Sequence, residues 1–123
     1  MRIVLAVALG GALGSVARHA LALLLAGLGP AAATLAANGV GSFLIGFLWV
    51  RFGAGRPVLR AFAITGFCGG FTTFSMFSLE ILALVEAEGW MPAVTEITAS
   101  LAVWLAAVTL GFRLGRRTPE GSP

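Results

Sequence analysis

Lysine, aspartate and tyrosine are absent from this 123-residue chain, and cysteine occurs once, as Cys68. A single thiol excludes an internal disulfide framework. Acids are limited to Glu80, Glu86, Glu88, Glu96 and Glu120, and all eight bases are arginines. The only histidine, His19, has no second His, Cys or Asp to complete a metal site of ordinary ligand type, and reads as an interfacial residue. No nucleophile–base pair, no paired carboxylates within one span and no phosphate loop can be drawn, so neither an enzyme nor an organic cofactor is expected. Charged residues make up only 11% of the chain and hydrophobic residues 59%, which is outside the soluble globular range. In a soluble domain the net charge of +3 would suggest nucleic acid. Here the arginines flank apolar runs, as membrane anchors do, and no RNA- or DNA-binding motif is visible.

What is present is apolar sequence in spanning lengths. Four segments, roughly 3–26, 31–50, 58–84 and 91–112, each meet the need for about 20 residues across a bilayer. The first could pass for a signal peptide, but further spans follow it, and it reads as a retained helix. Short turns separate the segments: Gly27-Leu28-Gly29-Pro30, Gly53-Ala54-Gly55-Arg56-Pro57 and Glu86-Ala87-Glu88-Gly89. Pro30, Pro57 and Pro92 stand near helix starts, where proline is tolerated. An all-α, four-helix transmembrane domain over residues 1–115 is expected, with a short polar tail at 116–123.

Small residues recur at packing distance. Gly10 and Gly14, Ser42 and Gly46, and Gly111 and Gly115 are each four apart, which suits close helix contact. Four helices give little wall for an aqueous pore, so these faces are also expected to build an oligomer. Polar residues sit where lipid would penalise them. Thr34, Asn38 and Ser42 line one face of the second helix. Asn38 is either interhelical glue or an ion-binding amide. Arg18 shares a face with Gly11 and Gly14; it is either an interfacial snorkeller or a cation that draws anions to a vestibule.

The densest signal is Gly66-Phe67-Cys68-Gly69-Gly70-Phe71-Thr72-Thr73-Phe74-Ser75-Met76-Phe77-Ser78. Adjacent glycines followed by two β-branched hydroxyl residues invite a break in the helix, at Gly69-Gly70. Irregular backbone at membrane depth survives only where protein or a cavity lining satisfies it, and broken helices of this kind bind ions. The alternative is a packing segment with its phenylalanines toward lipid. Phe67, Phe71, Phe74 and Phe77 follow helical spacing, and Glu80 lies on the Phe77 face. Ring edges are positive and can favour an anion. An intramembrane acid such as Glu80 is a functional candidate by default, unless it is simply paired near the end of its span.

Three motifs together resemble the Fluc family of bacterial fluoride channels, also called CrcB. They are Gly10-Gly11-x-x-Gly14-x-x-x-Arg18, Asn38-Gly39-x-Gly41-Ser42-Phe43-x-x-Gly46, and the third-segment run from Gly66 through Ser78 to Glu80. The resemblance covers essentially the whole chain. It implies a multi-pass protein of the bacterial inner membrane, an antiparallel dimer with two pores, and passive export of fluoride from the cytoplasm. It also implies one sodium ion at the dimer centre, held by backbone carbonyls that by position belong to Gly69 and Thr72. Phe74 and Phe77 would be the pore rings and Asn38 the pore amide, with Thr34, Ser75 and Glu80 in the polar track around them. Two departures stand out. Met76 occupies a position where many relatives have Thr, and the fourth helix lacks a tyrosine found in some, leaving Ser100 as the expected polar contribution.

Elementary chemistry agrees with that reading. Fluoride is small and tightly hydrated, so a selective path must replace water with close donors, yet bind weakly enough to release the ion. Amide, hydroxyl and ring-edge donors meet both demands without a fixed lysine. A bound sodium would raise the local potential for anions. A small multidrug-resistance-type, proton-coupled exporter is the alternative transporter, but it needs an acid in its first span, and this one has none. A non-conducting structural subunit would explain the small-residue faces but not the polar set.

With both termini on one side, Arg2, Arg51, Arg56, Arg60, Arg113, Arg116 and Arg117 share that side, against none in the two opposite loops. Arginine excess places such loops in the cytoplasm. The termini are therefore expected to be cytoplasmic, so that an antiparallel dimer would need either a copy that inserts against this bias or an oppositely oriented homologue. Labelling of a cysteine added at the C-terminus, with Cys68 replaced, should occur from one side of the membrane only; equal labelling from both sides would show dual topology.

Overall fold

The computed structural model describes residues 1–117, and for Arg117 the backbone alone. Every regular element among them is helical: α1 (Arg2–Leu24), a 3-10 turn (Ala26–Leu28), α2 (Pro30–Phe52), α3 (Pro57–Arg60), a π-helical segment (Ala61–Cys68), α4 (Gly69–Phe71), α5 (Phe74–Glu88) and α6 (Trp90–Arg117). These compose four stretches long and apolar enough to cross a membrane, the third running from Pro57 to Glu88. Pro30 and Pro57 each open a helix, where the missing N–H costs nothing.

Two boundaries differ from expectation. Glu86, Ala87 and Glu88 continue α5 instead of turning, because Gly89 alone makes the corner with φ of 90°, a conformation open to glycine. The tail expected from residue 116 begins later, since Arg116 and Arg117 still belong to α6; the rest of it, 118–123, lies outside the described residues.

Glycine sets how closely the helices meet. A Cβ on Gly10 would stand 2.2 Å from the Phe62 carbonyl oxygen, and one on Gly14 would stand 2.1 Å from that of Phe67. A Cβ on Gly46 would be 2.2 Å from the Val108 oxygen, and one on Gly111 would be 2.1 Å from the Phe43 oxygen. Backbone thus lies on backbone at both crossings, where packing contacts must replace the hydrophobic drive that lipid removes. The order of these contacts shows that α1 runs parallel to the third span, and α2 parallel to α6. The core is correspondingly small-grained, with Ala33, Ala37, Cys68 and Ala93 buried and Val4, Leu13, Leu24, Leu79 and Leu105 exposed toward lipid.

The π segment carried no recognisable sequence signal. Its i→i+5 bonding packs against α1, where Gly66 abuts the Val7 carbonyl and the Gly10 backbone. Alternating span direction puts both described termini at one end, with Arg2, Arg51, Arg56, Arg60, Arg113 and Arg116. Glu86 and Glu88 mark the opposite end.

Gly46→Ala should destabilise the bundle by about 1–3 kcal/mol, the ordinary cost of forcing a methyl group into packed structure. Gly55→Ala, which meets nothing within 4 Å, should be near neutral. Thermal unfolding in detergent compares the two; equal midpoints would show that the α2–α6 crossing yields freely.

Candidate functional site

The third span loses its helical course at Thr72 (φ −82°, ψ 156°) and Thr73 (φ −149°, ψ 115°), both extended. The expected position, Gly69-Gly70, is helical instead. Gly70 is small for another reason: a Cβ there would stand 2.3 Å from the Gly11 carbonyl oxygen of α1. The two threonines are β-branched and favour extended backbone. Thr73 also caps α5, its hydroxyl accepting the Met76 N–H at 3.3 Å.

Leaving the helix frees backbone groups that the membrane interior cannot solvate, and side chains take up the Thr73 N–H and carbonyl and the Gly70 carbonyl. The Thr73 N–H donates to Asn38 Oδ1 at 2.7 Å, and Asn38 Nδ2 donates to the Thr73 carbonyl at 2.9 Å. One side-chain amide thus pairs with both backbone polar groups of one residue, which also fixes its orientation. Asn38 and Thr73 are both buried. The Gly70 carbonyl, one residue before the end of α4, accepts from Arg18 Nε at 3.1 Å and from Ser15 Oγ at 3.5 Å. The Thr72 N–H and hydroxyl both return to the Cys68 carbonyl, each at 2.9 Å. No buried side-chain polar atom among the described residues lacks a partner.

Beside this break lies a cavity of about 570 Å³ between α1, α2 and α5, with Arg18, His19, Thr34, Thr73, Met76 and Glu80 in its wall. Across it, buried Thr34 donates to Glu80 Oε1 at 2.6 Å, so the carboxylate is paired to a hydroxyl. Arg18 is half-buried and held by a carbonyl, which sets it apart from a free snorkelling cation. Met76, where a threonine was noted as usual, lends the cavity a thioether in place of a hydroxyl.

The rings form a second cluster. Phe74 and Phe77 stand 5.8 Å apart with planes tilted by 51°, and Phe77 meets Trp104 of α6 edge-on at 4.8 Å and 72°. Trp104 Nε1 donates to the Leu35 carbonyl at 3.4 Å, tying this ring stack to α2. Phe77 is buried, whereas Phe74 is 69% exposed. Ser75 joins the two clusters through its hydroxyl, 3.2 Å from that of Thr73.

The structure therefore brings Arg18, Thr34, Thr73 and Glu80 to one cavity, with Asn38 and Ser75 bonded to Thr73 and the Phe74–Phe77 pair following in the chain. Ser100 does not join them. It is buried, and its hydroxyl turns to Glu96 one helical turn earlier on α6, at 3.1 Å. Trp104 is the α6 residue that reaches the rings, and sequence reading passed over it. Its one usable signal is position, a large ring one turn beyond Ser100 on the same face. Among the described residues no cluster of three His, Cys, Asp or Glu could hold a metal.

Comparison with known proteins gives one consistent result. Residues 5–112 match the family model described as "CrcB-like protein, Camphor Resistance (CrcB)". A protein of Rhizobium meliloti (strain 1021) named fluoride-specific ion channel FluC is 46% identical over 123 residues, covering 94% of this chain and 98% of that protein. Another so named, from Ruegeria pomeroyi, is 43% identical over 112 residues, covering 91% and 89%. One from Thermococcus kodakarensis is 38% identical over 125 residues, covering 95% and 98%.

Removing the amide in Asn38→Ala should leave the buried Thr73 N–H and carbonyl unpaired, at about 1–3 kcal/mol for each group. Thermal unfolding should show the loss, and amide exchange at Thr73 should accelerate. Wild-type stability and exchange would mean that the break holds without Asn38.

Proposed function

The chain belongs to the CrcB family, and from that premise we propose that it is a fluoride-selective channel, through which the anion leaves the cytoplasm down its gradient. The observation that carries the reading is a set of neutral donors and aromatic rings gathered around the Thr72–Thr73 break, in a chain whose relatives over nearly its whole length are named fluoride-specific channels. Arg18 lends positive potential to the cavity and draws in the anion. Asn38 uses one of its two N–H groups on Thr73, and the other is its donor to fluoride. The single Thr34 proton is committed to Glu80, so this hydroxyl serves the ion only by turning away from the carboxylate. Such a donor is available without binding permanently, as conduction requires. Ser75 and the edges of Phe74 and Phe77 continue the path.

Phe74 is too exposed to enclose a path alone, and a second subunit would complete its wall. We read the functional unit as an antiparallel dimer, formed with a second copy or with an oppositely oriented homologue. A sodium ion fits the break. Thr73 directs its N–H to Asn38 and not back to Gly69, so the Gly69 carbonyl is released from the helical ladder, and Gly69 faces open space. The Gly69 and Thr72 carbonyls are hard oxygen donors, and two subunits would bring four of them to one centre. Bound there, sodium would neutralise converging carbonyl dipoles. A proton-coupled exporter of the small multidrug-resistance type is not favoured, as α1 contains no acid.

Liposomes loaded with fluoride and carrying the purified protein should lose the ion without a proton or drug gradient, while chloride stays inside. Phe74→Ile and Phe77→Ile, which keep apolar bulk but remove the ring edge, should each cut flux by at least about tenfold, the loss of roughly 1.4 kcal/mol. Replacing sodium by potassium during purification should lower flux as well. Absence of fluoride efflux from folded wild-type protein would overturn the channel reading; full flux in both ring variants would reduce the rings to packing. Full flux from sodium-free protein would remove the cation from the proposal.

A further inference from the structure

At the arginine-rich end, away from the break, α2 and the third span enclose a smaller cavity of about 270 Å³, lined by Trp49, Pro57, Arg60, Ala61, Ile64 and Thr65. Its rim is built. The Arg60 guanidinium lies over the Trp49 ring, 4.1 Å from the centroid, and its Nη1 donates to the Gly53 carbonyl at 3.2 Å. Stacking and this bond hold a planar cation at the cavity mouth, and the bond uses one of its five N–H donors. Beyond the rim the wall is mostly apolar, with Ala61 and Ile64 beside the exposed Thr65. Trp49 is 52% exposed, in keeping with a ring at the headgroup level of a bilayer.

The charge around this cavity has one sign. Arg2, Arg51, Arg56, Arg113 and Arg116 share the same end, whereas Glu80, Glu86, Glu88 and Glu96 all lie in the opposite half. A cationic rim over an apolar slot, at the edge of a membrane span, matches a molecule with an anionic head and a hydrocarbon body. A soluble phosphate would use the rim and leave the slot empty. We propose that Trp49 and Arg60 seat the headgroup phosphate of an anionic phospholipid, whose acyl chain lies against Ala61 and Ile64. This site is separate from the ion path and does not depend on which ion the protein conducts.

Native mass spectrometry of the full chain, released from micelles doped with phosphatidylglycerol or phosphatidylcholine, tests the seat directly. The wild-type protein should retain phosphatidylglycerol in preference to phosphatidylcholine, and millimolar inorganic phosphate should not displace it. Arg60→Gln should weaken phosphatidylglycerol retention by on the order of tenfold or more, as expected for losing a charge-assisted hydrogen bond. Arg116→Gln removes a charge from the same end but outside the cavity, and should cost no more than about fivefold. Arg60→Lys, which keeps the charge but not the stacked fork, should fall between wild type and Arg60→Gln. Equal losses in Arg60→Gln and Arg116→Gln would mean diffuse attraction and no seat. Equal retention of the two lipids by the wild-type protein, or full displacement by phosphate, would overturn the proposal without any variant having to fold.

Discussion

Everything near the centre of this molecule follows from the demand that backbone polar groups at membrane depth find partners within the protein. Two extended residues, Thr72 and Thr73, interrupt the third span and release groups that a continuous helix would have paired internally. Asn38 meets both the N–H and the carbonyl of Thr73, and Arg18 and Ser15 meet the Gly70 carbonyl. The residues that look most functional in the sequence are therefore also the ones that make the break tolerable. One polar set holds the backbone open and is also the set proposed to supply donors to the anion, so on that reading the two roles cannot be varied independently.

Close approach of α1 makes this arrangement possible. Arg18 reaches the Gly70 carbonyl because Gly70, lacking a Cβ, lets the α1 backbone at Gly11 lie directly against it. A methyl group on Gly70 would press on the Gly11 backbone and hold the two helices apart, whereas one on Gly11 would meet only ordinary contact. Glycine here acts through its missing volume, and the residues that need unusual backbone angles lie elsewhere, in the corners at Gly29, Gly53 and Gly89.

Much of this was legible in the residues themselves. Apolar run length gave the four spans, and glycine spacing gave both tight crossings, because each depends on one local property. The cavity acid and its neighbours were visible as polar residues in an apolar setting. The break was recognised but placed at Gly69-Gly70, since adjacent glycines signal flexibility and small volume alike, and only the contact with Gly11 tells which applies. Trp104 was missed because its role depends on α6 meeting Phe77, a tertiary relation without a local pattern. The π segment was invisible for a similar reason: nothing in Ala61–Cys68 distinguishes it from an α-helical run.

The pairing of parallel spans bears on how the protein is made. Its two tightest helix contacts join α1 to the third span and α2 to the fourth, each skipping a neighbour in the chain. A nascent chain that has placed only two spans in the bilayer has formed neither contact, and α1 waits for its glycine partner until the third has crossed. The second contact closes only with the last helix. Such interleaving makes the bundle's tight packing a property of the finished chain, acquired only as its last two spans arrive.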